Sequence, residues 1–285
     1  STACREIRPM PGATSLPNDG GKRVDIAPAP VPKAATSGDG RRLKLVVAYD
    51  GAPFRGWHSQ AGGNTIQDHL ENAFAQVAGE SLRLHGAGRT DAGVHALGQC
   101  AHVELPSTRL PPETWRNALN ASLPPQIRVV SCRLVRASFH ARFSARGKVY
   151  RYRIATTPVL FPFEIDRAWH VAGEIDDTAL RACAALFAGR HDFAGFCANR
   201  GSPAQSTVRT IRSVKVRRTK SATVIEFDGD GFLYKMVRLM VGAMVRCGLG
   251  KERPRDVRER LRSGLPAEAR LVAPAGGLTL VRVHY

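Results

Sequence analysis

Apolar and polar positions along the chain fall into two kinds of stretch. Residues 43–49, Leu43-Lys44-Leu45-Val46-Val47-Ala48-Tyr49, are aliphatic and β-branched and end at Asp50-Gly51, which predicts a strand. From Asn64 to Gly79 the period changes, and Ile66, Leu70, Phe74 and Val77 line one helical face. Asn64 is placed to cap this helix, with Gln67 in the reciprocal position of a capping box, and Gly79 ends it. Strands are predicted over 99–105, 127–135 and 143–155, with Tyr150 and Tyr152 sharing a face of the last. A helix over 113–121 follows Pro111-Pro112.

The second half repeats the theme. Asp176-Asp177-Thr178 opens a helix that runs through Phe187, and strands are predicted at 211–217 and 223–228. A Gly229-Asp230-Gly231 turn leads into an apolar helix over 232–247, then a basic helix over 253–262 and a strand over 278–283. Strands and helices do not alternate regularly, so the expected class is α+β rather than a doubly wound sheet. No residue-level repeat is evident. Residues 1–40 are rich in Pro, Gly, Ser and Ala and lack aromatics. They bury too little apolar surface to offset ordering entropy, which predicts a disordered N-terminal tail. The body is expected to divide near Arg146, into α+β domains at 41–145 and 146–285.

Charge changes this picture. The formal net charge is +18 and the pI about 10.5. Residues 1–40 carry a net +1, which leaves +17 on the body. A body this basic points to a polyanionic partner, nucleic acid first. Arg109, Arg116, Arg217 and Arg218 are candidates for phosphate contacts. No run approaches the roughly 18 apolar residues of a membrane span. The chain does not open with a basic start and an apolar stretch, so no secretory signal is read and a cytoplasmic setting is expected. The cysteines, Cys4, Cys100, Cys132, Cys183, Cys197 and Cys247, include no C-x-x-C pair and no histidine pair at zinc-site spacing. Neither a metal site nor a disulfide framework is expected. His95, His140 and His191 are scattered and are read as structural.

The densest chemical signal is Gly86-Ala87-Gly88-Arg89-Thr90-Asp91-Ala92-Gly93. Glycines allow sharp turns and close approach, so a carboxylate on such a loop can face a ligand. Arg89 beside it can hold the carboxylate ionised or reach a phosphate. A surface turn whose aspartate bonds backbone amides fits the spacing equally well. The Gly-Lys-Ser/Thr of a P-loop and the third glycine of a dinucleotide fingerprint are both absent, so nothing here calls for ATP or NAD.

Gly88-Arg89-Thr90-Asp91-Ala92-Gly93-Val94-His95-Ala96 resembles the signature of the TruA family of tRNA pseudouridine synthases. Four more stretches resemble that family in its order. They are Tyr49-Asp50-Gly51-x-x-Phe54-x-Gly56-Trp57, then Phe139-His140-Ala141-Arg142-Phe143-Ser144-Ala145 with Tyr150-x-Tyr152, then Phe232-Leu233-Tyr234-x-Met236-Val237-Arg238, and Ala273-Pro274-Ala275-x-Gly277-Leu278-x-Leu280. His58 stands where the family often has Gln, and residues 1–40 have no counterpart.

The resemblance implies two ferredoxin-like α+β domains, with mixed, mainly antiparallel sheets joined around a central basic cleft. It implies a homodimer that acts on tRNA without metal or cofactor. The reaction implied is isomerisation of uridine to pseudouridine in the anticodon stem-loop, at tRNA positions 38, 39 and 40. Asp91 would be the nucleophile, Arg238 its partner, and Tyr150 the ring against the uracil, its hydroxyl accepting or relaying a proton. Read without the family, Tyr150 is a sheet-core aromatic and Arg238 a helix-surface arginine, although the apolar run 236–245 around Arg238 demands a partner for its charge. Arg89 would hold open the space left by a flipped base or contact a phosphate. Two other classes compete: an RNA-binding protein without catalysis, and a nucleoside hydrolase, which needs a second carboxylate near Asp91.

Overall fold

Alternating burial builds the sheet. In the computed structural model, which describes residues 42–105, 110–198, 206–267 and 270–285, strand β1 (Arg42–Tyr49) buries every second side chain. Leu43, Leu45, Val47 and Tyr49 face the core. The expected tail at 1–40 and Arg109 lie outside the described residues. The remaining strands are β2 (Leu84–Gly86), β3 (His95–Glu104), β4 (Ile127–Val135), β5 (Gly147–Ala155), β6 (Trp169–His170), β7 (Gly189–Asp192), β8 (Val208–Arg218), β9 (Ala222–Gly229) and β10 (Leu278–His284). They form one mixed sheet in the order β4-β1-β3-β10-β5-β9-β8-β7, with β2 on β3 and β6 on β5. Most pairs are antiparallel; β10 runs parallel to β3 and β6 parallel to β5. The fold is α+β, with five α-helices among the described residues.

The last strand joins the halves. β10 pairs Leu280 with Ala96 of β3 on one side and with Tyr150 of β5 on the other. Helices α1 (Ile66–Ala78) and α2 (Pro112–Ser122) accompany the first half, and α3 (Asp177–Leu186), α4 (Met236–Gly248) and α5 (Pro254–Ser263) the second. Their apolar faces and those of the strands merge into one core, running from Phe74 and Trp115 through Tyr150 and Tyr152 to Phe187 and Phe227. Polar partners occupy the alternate positions, as where Arg151 meets Glu226 across β5 and β9 at 3.1 Å.

Local differences from the expected elements have local causes. The helix α1 is capped by Thr65, not Asn64, and the reciprocal partner is Asp68, not Gln67. Both pairs share the spacing, but Asn64 takes φ +57 and turns the chain one residue before the cap. Gln67 is instead buried, and its amide meets the His58 ring, Ser59 N, Glu71 and Leu84 O. The apolar helix starts at Met236, four residues later than expected, because Lys235 at φ +58 leaves the helical region. β5 begins at Gly147 rather than residue 143, and β3 begins at His95 rather than residue 99. Short β2, β6 and β7 were not expected, since three-, two- and four-residue strands carry too little alternation to read.

Candidate active site

The loop between β2 and β3 is held from both sides. Gly56 sits against it at φ +89, and a methyl group there would stand 2.7 Å from Thr90 O and 3.1 Å from both Ala92 N and Asp91 C. Trp57 N–H donates to Thr90 O at 3.1 Å, and the Tyr49 hydroxyl shares a buried 2.8 Å hydrogen bond with Thr90 Oγ1. Gln99 Nε2 donates to Gly88 O at 2.9 Å, and Val94 N–H to Asp91 O at 3.1 Å. Gly93, at φ +76, rests on Ala275. A Gly56→Ala variant is therefore expected to lose about 1–3 kcal/mol of stability and most of its turnover, because the methyl would press on the backbone of residues 90–92 and force a side chain into a positive φ. Thermal unfolding and a turnover assay check this; a variant that melts and turns over normally would show slack in the loop.

Asp91 and Arg238 meet across 147 residues of sequence. Arg238 Nη1 donates to Asp91 Oδ2 at 2.8 Å, with the side chains 14% and 23% exposed, so the pair is largely screened from water. The guanidinium is fixed at its other end too, where Nε donates to Ala273 O at 2.7 Å and Ala273 N–H returns a bond to Arg238 O at 3.1 Å. Such a two-point grip sets the direction of the Asp91 carboxylate more tightly than a point charge would. α4 is apolar around almost its whole circumference, so its burial places Arg238 deep and makes a partner obligatory.

Tyr150 is buried at the centre of the sheet, its ring edge-on to Phe232 at 5.1 Å and 83°. Burial pushes its phenol well above the ordinary tyrosine value, and nearby Tyr49 and Asp91 act in the same direction. The hydroxyl stays protonated near neutral pH and makes no hydrogen bond among the described residues. Arg89 is exposed and has no hydrogen bond or ion pair among the described residues. Asp91, Arg238 and Tyr150 are thus brought together, while Arg89 projects from the same loop. Arg116 bonds the Asn117 side chain and Arg218 the Ile175 carbonyl, and among the described residues neither has a hydrogen bond or ion pair to this cluster.

The histidines have structural partners: His95 links Gly51 N–H to Asp166 O, His140 meets His102 edge-to-face at 4.7 Å, and His191 meets Ala188 O. The described cysteines are buried, and no group of His, Cys, Asp and Glu among the described residues is arranged to hold a metal. No helix among the described residues is long and apolar enough to cross a membrane.

Sequence reasoning left several supports without a role. Tyr49, Thr90 and Gln99 hold the loop, and Tyr152 donates to Pro274 O at 2.7 Å, fixing the stretch that carries Ala273. Gly277 is glycine because a methyl there would stand 2.6 Å from the Tyr152 ring. All but Gln99 lie inside the quoted stretches, so their clustering in those stretches was the available signal.

A family model described as tRNA pseudouridine synthase matches residues 45–144 and 183–285. The chain belongs to the tRNA pseudouridine synthase family. Membership makes it an enzyme of the isomerase class. The tRNA pseudouridine synthase A of Akkermansia muciniphila is 46% identical over 253 residues, covering 86% of this chain and 95% of its own. Those of Solidesulfovibrio magneticus and Acetivibrio thermocellus are 46% and 39% identical over 253 and 245 residues, each covering 86% of this chain and respectively 91% and 100% of their own. Among solved structures, an archaeal box H/ACA Nop10–Cbf5 complex overlays with a TM-score of 0.36 and 11% identity, across 84% of this chain and about half (48%) of that one. A likeness that distant carries no argument.

Proposed function

We propose that this isomerase converts uridine to pseudouridine in the anticodon stem-loop of tRNA, at positions 38, 39 and 40, with Asp91 as the nucleophile. The observation that carries the reading is the Asp91 carboxylate, held at 2.8 Å by an arginine that is itself anchored, beside a buried tyrosine. A target base in a stem must first be flipped out, at about a few kcal/mol. Arg89, exposed next to Asp91, meets the RNA at that point. The N1–C1′ bond then breaks, the uracil turns, and C5 joins C1′. The C5 proton leaves and N1 gains one, so atoms balance without an electron carrier. Tyr150 stacks on the uracil and, as a protonated phenol, relays the proton.

In this reading the regions 41–145 and 146–285 act as two ferredoxin-like domains around a basic cleft, and the protein works in the cytoplasm as a homodimer with tRNA spanning both subunits. The +17 carried by the body supplies the attraction for RNA. The Asp91 carboxylate bonds a guanidinium rather than a second carboxylate, which favours isomerisation over a hydrolase's paired-carboxylate chemistry.

The deciding experiment incubates purified protein with uridine-labelled tRNA and analyses the nucleosides. Pseudouridine at 38–40 is expected. Free uracil, or bound but unchanged tRNA, would overturn the proposal. Tyr150→Phe should lower kcat by about 10²-fold while tRNA affinity stays within a few-fold, because the ring remains and only the hydroxyl is lost. Tyr150→Ala should also lose stacking, worth about 1–3 kcal/mol. Single-turnover kinetics with a binding titration separate the two, and a fully active Tyr150→Phe removes the hydroxyl's role.

A further inference from the structure

Lys148 lies two residues before Tyr150 on β5 and faces the same side of the strand. Its ammonium is packed onto the loop that carries Asp91: a methyl on Gly88 would stand 2.3 Å from Lys148 Nζ and 3.4 Å from Cε. The side chain is partly buried, yet it makes no hydrogen bond or ion pair among the described residues. The nearby carbonyl of Gly88 is already taken by Gln99. Its cross-strand neighbours, Gly229 on β9 and Val283 on β10, carry no charge. The charged groups that act on it are Arg142, after β4, and Arg209, on β8, both cations. Arg142 is exposed, and Arg209 is held by the carbonyls of Ser206 and Val208 at 2.8 and 2.6 Å.

We propose that Lys148 binds a backbone phosphate of the RNA beside the Asp91 loop, with the positive charge of Arg142 and Arg209 adding to the attraction. An ammonium drawn partly out of water with only cations around it is unfavourable until an anion arrives. Burial and the two arginines pull its pKa down to about 8, so in the free protein it carries a full charge only below that pH. A phosphate diester supplies the missing acceptor and restores the charge. Gly88 permits the approach, and the strand face shared with Tyr150 puts the phosphate next to the nucleotide whose base that ring meets. The inference rests on the tRNA reading of the site.

The test is tRNA affinity as a function of salt and pH, for the full chain and for Lys148→Met and Lys148→Arg. Lys148→Met should bind about tenfold or more weakly at pH 7 and low salt, with the slope of log affinity against log salt reduced by about one. Wild-type affinity should decline from pH 8 upward as the amine loses its proton. Lys148→Arg should keep wild-type affinity at pH 7 and lose that decline, since a guanidinium stays charged. Wild-type affinity and salt slope in Lys148→Met overturn the proposal. If Lys148→Met fails to fold, Lys148→Arg decides: an unchanged decline above pH 8 overturns it. Wild-type protein that forms no pseudouridine refutes the functional reading instead, so the two failures are distinct.

Discussion

Asp91→Asn is expected to abolish pseudouridine formation, by 10³-fold or more, on the order seen when an enzyme loses its nucleophile. The amide keeps the shape of the carboxylate and a hydrogen-bond acceptor for Arg238 Nη1 but has no anionic oxygen. Because the loop is held by Thr90, Gly88 and Gly56 rather than by the Asp91 side chain, its conformation should survive. Affinity for tRNA should therefore stay within a few-fold of wild type, as most of the attraction comes from phosphates. Quenched-flow turnover with separate binding titrations measures both. Normal turnover in Asp91→Asn would refute the assignment of the nucleophile, and a large loss of affinity would mean that the carboxylate also holds the loop.

Arg238→Lys should be nearly as damaging, with kcat reduced by about 10²-fold or more. An ammonium is a point charge; it cannot reproduce the fork that reaches Asp91 Oδ2 through Nη1 and Ala273 O through Nε. Arg238→Met should do worse and also destabilise the fold by about 1–3 kcal/mol, because it leaves the Ala273 carbonyl and the partly buried Asp91 without partners. That penalty lies below the figure for a fully enclosed pair, since the Asp91 side chain keeps 23% exposure. Denaturant unfolding together with single-turnover rates distinguishes lost orientation from lost folding. Arg238→Met with wild-type kcat would show that the pairing has no part in turnover.

Much of the framework was legible along the chain. β1 alternates along its whole length and β9 from Thr223 onward, so their burial follows from a period of two. The caps of α3 at Asp176 and of the C-terminal end of α1 at Gly79 were readable as single residues with one local task. The capping slip at α1 shows the limit. Asn64 and Thr65 both offer oxygen at the right spacing, and the choice fell to the backbone dihedral of Asn64.

Sequence alone determined the basic body, the α+β class and the ordered motifs that place Asp91, Tyr150 and Arg238 in the tRNA pseudouridine synthase family. Only the tertiary structure decided how they meet. Insertion of β10 between β3 and β5 brings the loop before β3 beside Tyr150, and Ala273, ahead of β10, anchors Arg238 against Asp91. It also decided that Lys148 rests on Gly88 among cations. The physical reason is range: hydrophobic period reports which way a side chain points from its own element, whereas strand order and close backbone approach depend on elements far apart in the chain.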